Sequence, residues 1–322
     1  MGAKYNLLSG NKLQKESKML KKRILIIGSN GMLGQSIVSL FKSIKKYELH
    51  LASFESESYF PNISYTKVDI GVKKQVKELL LSFYPDFVIN LAAYTNVDKC
   101  ESEKEQCWNI NVNAAEYLAK YCVPTNSHLI HISTDYVYDG KNGPYSENDL
   151  PNPLSYYGRS KLAGENIIKR FNIPNTIIRT NVLFGDTKFG RPDFVKWVIN
   201  SLESKQPIRI VTDQINNPTY IGDVAFAIKQ VCEHDKIGLY NIGGAELLNR
   251  YEFTKRIAEH FNLDFDLVSP ILTKELNQPA LRPLNSGLIN LKAETELNYK
   301  PRSLNECFNL MHKYWKDQSI IQ

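Results

Sequence analysis

Apolar positions in the first half of the chain alternate between two periods. The run "RILIIG" at residues 23–28 is continuously apolar and ends in glycine, the pattern of a strand buried on both faces. Beyond it Leu33, Ile37, Leu40, Phe41 and Ile44 recur at helical spacing. "YELHLAS" and "ISYTKVDI" predict the next two strands, residues 72–83 a helix, and "DFVINLAA" another strand. The spacing predicts one long helix over residues 97–122, then the strand "HLIHIS". A helix over residues 156–171 and a strand in "NTIIRTNVLFG" follow. Strands and helices in strict alternation predict a parallel sheet with right-handed crossovers and helices on both faces.

After Gly185 the regularity fades. Helices are predicted over residues 193–202, 222–232, 250–261 and 304–315, with short strands in "PIRIVTD" and "GLYNIGG". The fold expected is therefore α/β: a Rossmann-like doubly wound parallel sheet with a smaller mixed α/β C-terminal unit. Residues 22–185 would bind a nucleotide, and residues 186–322, interleaved with them, would mostly bind substrate. Residues 1–21 are polar and Lys-rich, which predicts a disordered extension without the apolar core of a secretory signal. No apolar run approaches the ~20 residues of a membrane span, so no membrane partner and a cytoplasmic location are expected.

Composition changes this picture little. With 322 residues, 43% of them hydrophobic, the chain can bury a large core. The net charge of +6 resides in the first 23 residues, which hold seven basic side chains against one acidic. The body is balanced, so no nucleic-acid partner is expected. Five cysteines without a CxxC pair suit reduced, buried thiols. Six histidines without an HxH or HxxxH pair give no ground for a metal site.

Candidate chemistry begins at "GSNGMLG", between the first strand and the first helix. Gly28 would permit the tight turn, Gly31 the approach of a diphosphate to the helix N-terminus, and Gly34 close packing of helix on sheet. Gly28, Asn30, Gly31, Met32, Leu33 and Gly34 are thus the predicted cofactor cradle. The second strand ends near Ser53 with Glu55 beyond it and no Arg, which leaves NADH and NADPH both open.

A second group lies in "STDYVYDG" and "YYGRSK". Tyr157 and Lys161 are four apart, hence on one helix face. A free Tyr titrates near ~10, and an adjacent ammonium would bring it down toward a useful proton donor. Thr134 follows the fifth strand, at the carboxyl edge where such sheets bind ligands. The three suit hydride transfer to a ketone whose oxygen takes a proton from Tyr157.

Together with "NLAAYTNVDKCESE", "PYSENDLPNPLSYYGRSKLAGE", "DQINNPTYIGDVA" and "LRPLNSGLI", these stretches resemble the extended short-chain dehydrogenase/reductases. Within that group the chain is similar to the dTDP-4-dehydrorhamnose reductases. The resemblance implies Tyr157 as general acid and Lys161 as its partner and ribose ligand, with Thr134 polarising the C4 carbonyl. It implies that Asn111 holds a proton-relay water. Asp69 and Ile70 would line the adenine, and Ala92, Ala93 and Tyr94 the diphosphate-ribose side. Thr95, Val97, Asp135, Tyr136 and Asn181 would lie near the sugar of a nucleotide-sugar substrate. A homodimer is compatible with the resemblance.

Related dehydratases carry a carboxylate where this chain has Tyr136, so ketone reduction is expected and elimination is not. Many rhamnose reductases have Ser-Trp where this chain has Asn181 and Val182. Two alternatives remain at this point: a non-catalytic regulatory subunit like the methionine adenosyltransferase β subunit, and a sugar-nucleotide epimerase. The intact Thr134, Tyr157 and Lys161 favour the reductase over the regulatory subunit.

Overall fold

A computed structural model describes residues 21–319; the expected disordered extension, except its last residue, lies outside them. The first half runs β1 (Lys22–Ile27), α1 (Met32–Phe41), β2 (Tyr47–Ser53), β3 (Ser64–Lys67), α2 (Lys73–Phe83) and β4 (Phe87–Asn90). In β1 the alternation of side chains decides the architecture: Ile24 and Ile26 enter one core with α1, while Leu25 and Ile27 enter a second with α2. Both faces of the sheet are therefore covered, as the unbroken apolar run requires.

The long helix expected over residues 97–122 is broken. It becomes α3 (Lys99–Ser102), α4 (Lys104–Trp108), a π-helical turn (Asn109–Asn113) and α5 (Ala114–Thr125). The break falls at Glu103, whose backbone leaves the helical region and whose carboxylate accepts the Tyr94 hydroxyl. The π turn then rotates Asn111 inward, the kind of local irregularity that accompanies functional sites.

β5 (His128–Thr134), α6 (Tyr156–Lys169) and β6 (Asn175–Thr180) follow. The run "NTIIRTNVLFG" is not one strand: Val182, at φ 26°, separates β6 from β7 (Leu183–Phe184). A β-branched residue in the left-handed region is strained, and this one stands on the wall of the cleft described below.

The second half contains α7 (Phe194–Glu203), β8 (Ile208–Val211), β9 (Ile215–Asn216), β10 (Thr219–Tyr220), α8 (Ile221–His234) and β11 (Gly238–Ile242). It continues with β12 (Leu248–Asn249), α9 (Arg250–Phe261), β13 (Val268–Ile271), α10 (Leu291–Leu297) and α11 (Leu304–Ser319). β11 pairs in parallel with β6, so the main sheet has seven parallel strands in the order β11-β6-β5-β4-β1-β2-β3. The order reverses between β1 and β4, and at such a switch point a crevice opens beyond the strand ends. Three two-stranded pieces, β10-β7, β12-β9 and β13-β8, build the smaller unit over that crevice. Two polar ties clamp the units: Arg282 pairs with Asp98 at 2.7 Å, and the Ser286 hydroxyl donates to the Asp135 carboxylate.

Candidate active site

A cavity of about 930 Å³ runs along the carboxyl ends of the sheet strands, between the sheet and the smaller unit. Every residue singled out in the sequence lines it, except Asn30 and Asn111. Thr180, Arg191 and Arg250 line it too and were not foreseen.

At one end lies the glycine loop. Gly28 has φ 81°, which only glycine adopts freely. A Cβ on Gly34 would sit 2.2 Å from the Gly28 carbonyl oxygen, so α1 can reach the loop only without a side chain there. Gly31 is different: it is exposed, its backbone is ordinary at φ −66°, and a Cβ would meet nothing closer than 3.2 Å. It is the N-cap of α1 and supplies no side-chain cap, so the amides of the first turn face the cleft unpaired. This cradle fits a diphosphate. Asn30 instead braces it, its amide donating to the Glu57 carbonyl at 2.8 Å while its oxygen accepts the Tyr59 amide.

At the middle of the cavity stand Thr134, Tyr157 and Lys161. Thr134 ends β5, and Tyr157 lies in the first turn of α6, capped by Ser155, which accepts the Gly158 amide at 3.2 Å. Gly158 lets α6 press against β5's following turn, since a Cβ there would fall 2.2 Å from the Tyr136 carbonyl oxygen. That contact sets Tyr157 beside Thr134, whose hydroxyl accepts the Tyr136 amide at 3.2 Å and stands near enough to draw the phenol's proton affinity down. Thr134 also donates to Asp135 at 3.1 Å, and Asp135 accepts from Ser286. Burial pushes the Asp135 carboxyl up to about 6, the two hydroxyl donors pulling against it.

Lys161 departs from expectation. Its ammonium donates to the Ile132 carbonyl at 2.7 Å and lies 3.4 Å from His131 Nε2. Burial lowers it to about 8, with Glu165 opposing. Tyr157 is not depressed: burial raises the phenol well above its ordinary value, Thr134 pulling it back in part. The expected lowering by Lys161 is absent because β5 engages the ammonium. His131, buried and held well below its ordinary value by desolvation and Lys161, is neutral and bonds Asn90 at 3.0 Å. Nothing in the apolar run "HLIHIS" signalled this anchor.

Asn111 does not reach the cavity. Its amide donates to Ser160 Oγ at 2.9 Å and the Tyr94 carbonyl at 3.1 Å, and its oxygen accepts the Tyr94 amide at 2.8 Å. Both amide hydrogens are taken up in tying the β4 loop to α6, which leaves only the second lone pair of the oxygen for the water expected there. Asn181 lines the cleft but is likewise held, against Thr219 at 2.9 Å and Asn217 at 3.1 Å.

A switch-point crevice, an uncapped helix N-terminus along it and a Tyr-x-x-x-Lys helix beside a strand-end Thr define an extended short-chain dehydrogenase/reductase fold with a nicotinamide-dinucleotide cleft. The chain belongs to the RmlD substrate binding domain family, which matches residues 22–315. It is 33% identical over 304 residues to a dTDP-4-dehydrorhamnose reductase of Aggregatibacter actinomycetemcomitans, covering 91% of this chain and 99% of that one. The dTDP-4-dehydrorhamnose reductase of Bacillus anthracis, solved in complex with NADP, superposes with a TM-score of 0.81 at 28% identity, over 92% of this chain and all of that one. Methionine adenosyltransferase 2 subunit beta of Danio rerio is 32% identical over 273 residues, 83% of this chain and 82% of that one.

Proposed function

We propose that this chain is an NAD(P)H-dependent reductase of a nucleotide-linked 4-keto-6-deoxy sugar, with dTDP-4-dehydro-L-rhamnose as substrate and dTDP-L-rhamnose as product. The observation that carries the proposal is that Thr134, Tyr157 and Lys161 meet on one wall of the cavity, Lys161 one turn along the same helix as Tyr157. The reduced nicotinamide, when bound, supplies the hydride. Everything else falls to the protein.

Tyr157 is kept protonated by burial, so it meets the ketone as a neutral donor. As the C4 carbon gains the hydride, the carbonyl oxygen takes the phenol's proton. Thr134, released from Asp135, turns its hydroxyl to the same oxygen and steadies the developing charge. Lys161, fixed by Ile132 and His131, supplies a donor for the ribose. Tyr136 occupies the place where elimination would need a carboxylate, so the alcohol is the end product. A homodimer belongs to this proposal as an expectation.

Turnover of dTDP-4-dehydrorhamnose, followed by loss of reduced-nicotinamide absorbance, tests the assignment. Tyr157→Phe should reduce kcat about 10²–10⁴-fold, the range for a general acid, with cofactor affinity unchanged. Near-normal turnover by that variant would remove Tyr157 from the chemistry. The likeness to the methionine adenosyltransferase subunit supports a second, regulatory reading. Tight cofactor binding with no reduction of any 4-keto sugar nucleotide would make that reading the better one.

A further inference from the structure

Behind Lys161 lies a short chain of polar side chains that the reduction itself does not use. Asn90 ends β4, and its register partner on β5 is His131; both are buried. The Asn90 carboxamide has only one satisfied orientation. Its oxygen accepts the Ala92 amide at 3.3 Å, and a backbone N–H can only donate. Its NH₂ therefore faces His131 Nδ1, at 3.0 Å. Nδ1 must accept that bond, so the single proton of the neutral imidazole sits on Nε2. Nε2 is the atom that lies 3.4 Å from the Lys161 nitrogen.

This tautomer bears on the charge of Lys161. An ammonium offers three hydrogens and no lone pair. One hydrogen goes to the Ile132 carbonyl at 2.7 Å, and the Nε2–H of His131 is then a donor facing a donor. The amine form has two hydrogens and a lone pair. It keeps the Ile132 bond, accepts from Nε2–H and retains one hydrogen for a ligand in the cavity. Other neighbours pull the opposite way: Glu165, a turn further along α6, and the Cys107 thiol of α4 both favour the charge. Glu165 is itself paired with Arg179 of β6 at 2.7 Å. Tyr157, a turn earlier, is kept protonated and neutral by burial. Desolvation outweighs them all and brings the ammonium down to about 8.

We propose that Asn90 and His131 are positioning residues that set the charge of Lys161, holding the imidazole proton on Nε2 so that the amine form is bonded as well as the ammonium. Its effect on cofactor rests on the reductase reading, in which Lys161 holds the ribose. The consequence is a site whose affinity for the anionic dinucleotide falls in mildly alkaline solution, well below the ~10.4 at which a free lysine discharges.

Magnetic resonance reads the imidazole and the lysine directly, without cofactor. In ¹⁵N-labelled protein the ring-nitrogen correlations of His131, assigned by their loss in His131→Leu, should show the proton on Nε2. The ¹³Cε shift of Lys161, assigned by its loss in Lys161→Met, gives the titration midpoint of the amine. Asn90→Asp offers Nδ1 an acceptor, which draws the proton to Nδ1 and turns Nε2 into an acceptor for the ammonium. The Lys161 midpoint should then rise by about half to one pH unit, the worth of one net hydrogen bond. His131→Leu removes the opposing donor without burying a new charge, and its midpoint should rise as well. In both variants the alkaline fall in NADPH affinity should move up in step. A proton on Nδ1 in the wild type overturns the proposal. So does a Lys161 midpoint that stays or falls in folded His131→Leu, the variant that decides if Asn90→Asp does not fold. A midpoint that rises while NADPH affinity ignores pH upholds the proposal and removes the ribose role of Lys161 instead.

Discussion

Replacing Gly31 by valine separates two duties that the glycine loop combines. At Gly31 the backbone is extended, φ −66° and ψ 166°, and a Cβ would lie 3.2 Å from the Gly28 oxygen. An alanine there reduces unfolded-chain freedom, worth about 0.4–1 kcal/mol, against a contact that must yield by a few tenths of an ångström. Net stability should therefore hardly move. At Gly34 the nearest backbone oxygens would be 2.2 and 2.6 Å away, so Gly34→Ala forces helix and loop apart. Overpacking of that kind costs about 1–3 kcal/mol. The contrast reverses for cofactor binding. A branched side chain at Gly31 covers the first-turn amides of α1; losing two bonds to a charged diphosphate, at about 1.5–3 kcal/mol each, removes roughly 3–6 kcal/mol. That is about 10²–10⁴-fold in Kd. Thermal melts and NADPH fluorescence titrations of Gly31→Ala, Gly31→Val and Gly34→Ala read both quantities. NADPH affinity within tenfold of wild type in Gly31→Val, or a Gly31→Val that melts like Gly34→Ala, would refute the reasoning.

Lys161→Met should weaken NAD(P)H binding as well as turnover, and it should abolish the fall in cofactor affinity expected above pH of about 8, where the buried ammonium discharges; an unchanged pH profile of binding would sink the ribose role. Asp135 bears on stability instead. Its carboxyl is raised from 3.8 to about 6 in the fold, so the stability it lends is fully present below pH 3.8 and is lost as pH rises through 6. The loss is on the order of 3 kcal/mol by linkage. Asp135→Asn keeps an acceptor for Ser286 and should flatten the stability difference between acid and neutral pH; denaturant midpoints across that range that still fall as steeply as in wild type would speak against it.

The sheet and its glycine-loop edge were legible because burial on two faces leaves a continuous apolar signature in "RILIIG", and because Gly28 and Gly34 answer to local geometry. Tyr157 and Lys161 were legible through helical spacing. What escaped is set by partners far along the chain. The break at Glu103 depends on the Tyr94 hydroxyl and carries no Gly or Pro to announce it. The grip of β5 on Lys161 comes from a backbone carbonyl, which every residue possesses and no sequence advertises. Arg250, at the head of a helix, has the appearance in sequence of a solvated charge, and only the packing of Phe194 and the closed cleft make it otherwise.

The pairing of β11 with β6 has a consequence for how the protein can be made. When β6 leaves the ribosome, its outer edge is unpaired and its centre, Ile177 and Ile178, is fully apolar. The strand that covers it is synthesised only after α7, the short strands β8 to β10 and α8, which itself packs into the same core as α1. An unpaired apolar edge is a template for association, so nascent chains stalled in this interval are exposed to aggregation. The first half of the chain therefore has no finished form of its own. The two halves of the chain are inherited as one folding unit, and a recombination point placed just after Gly185 would deliver a sheet without its last strand.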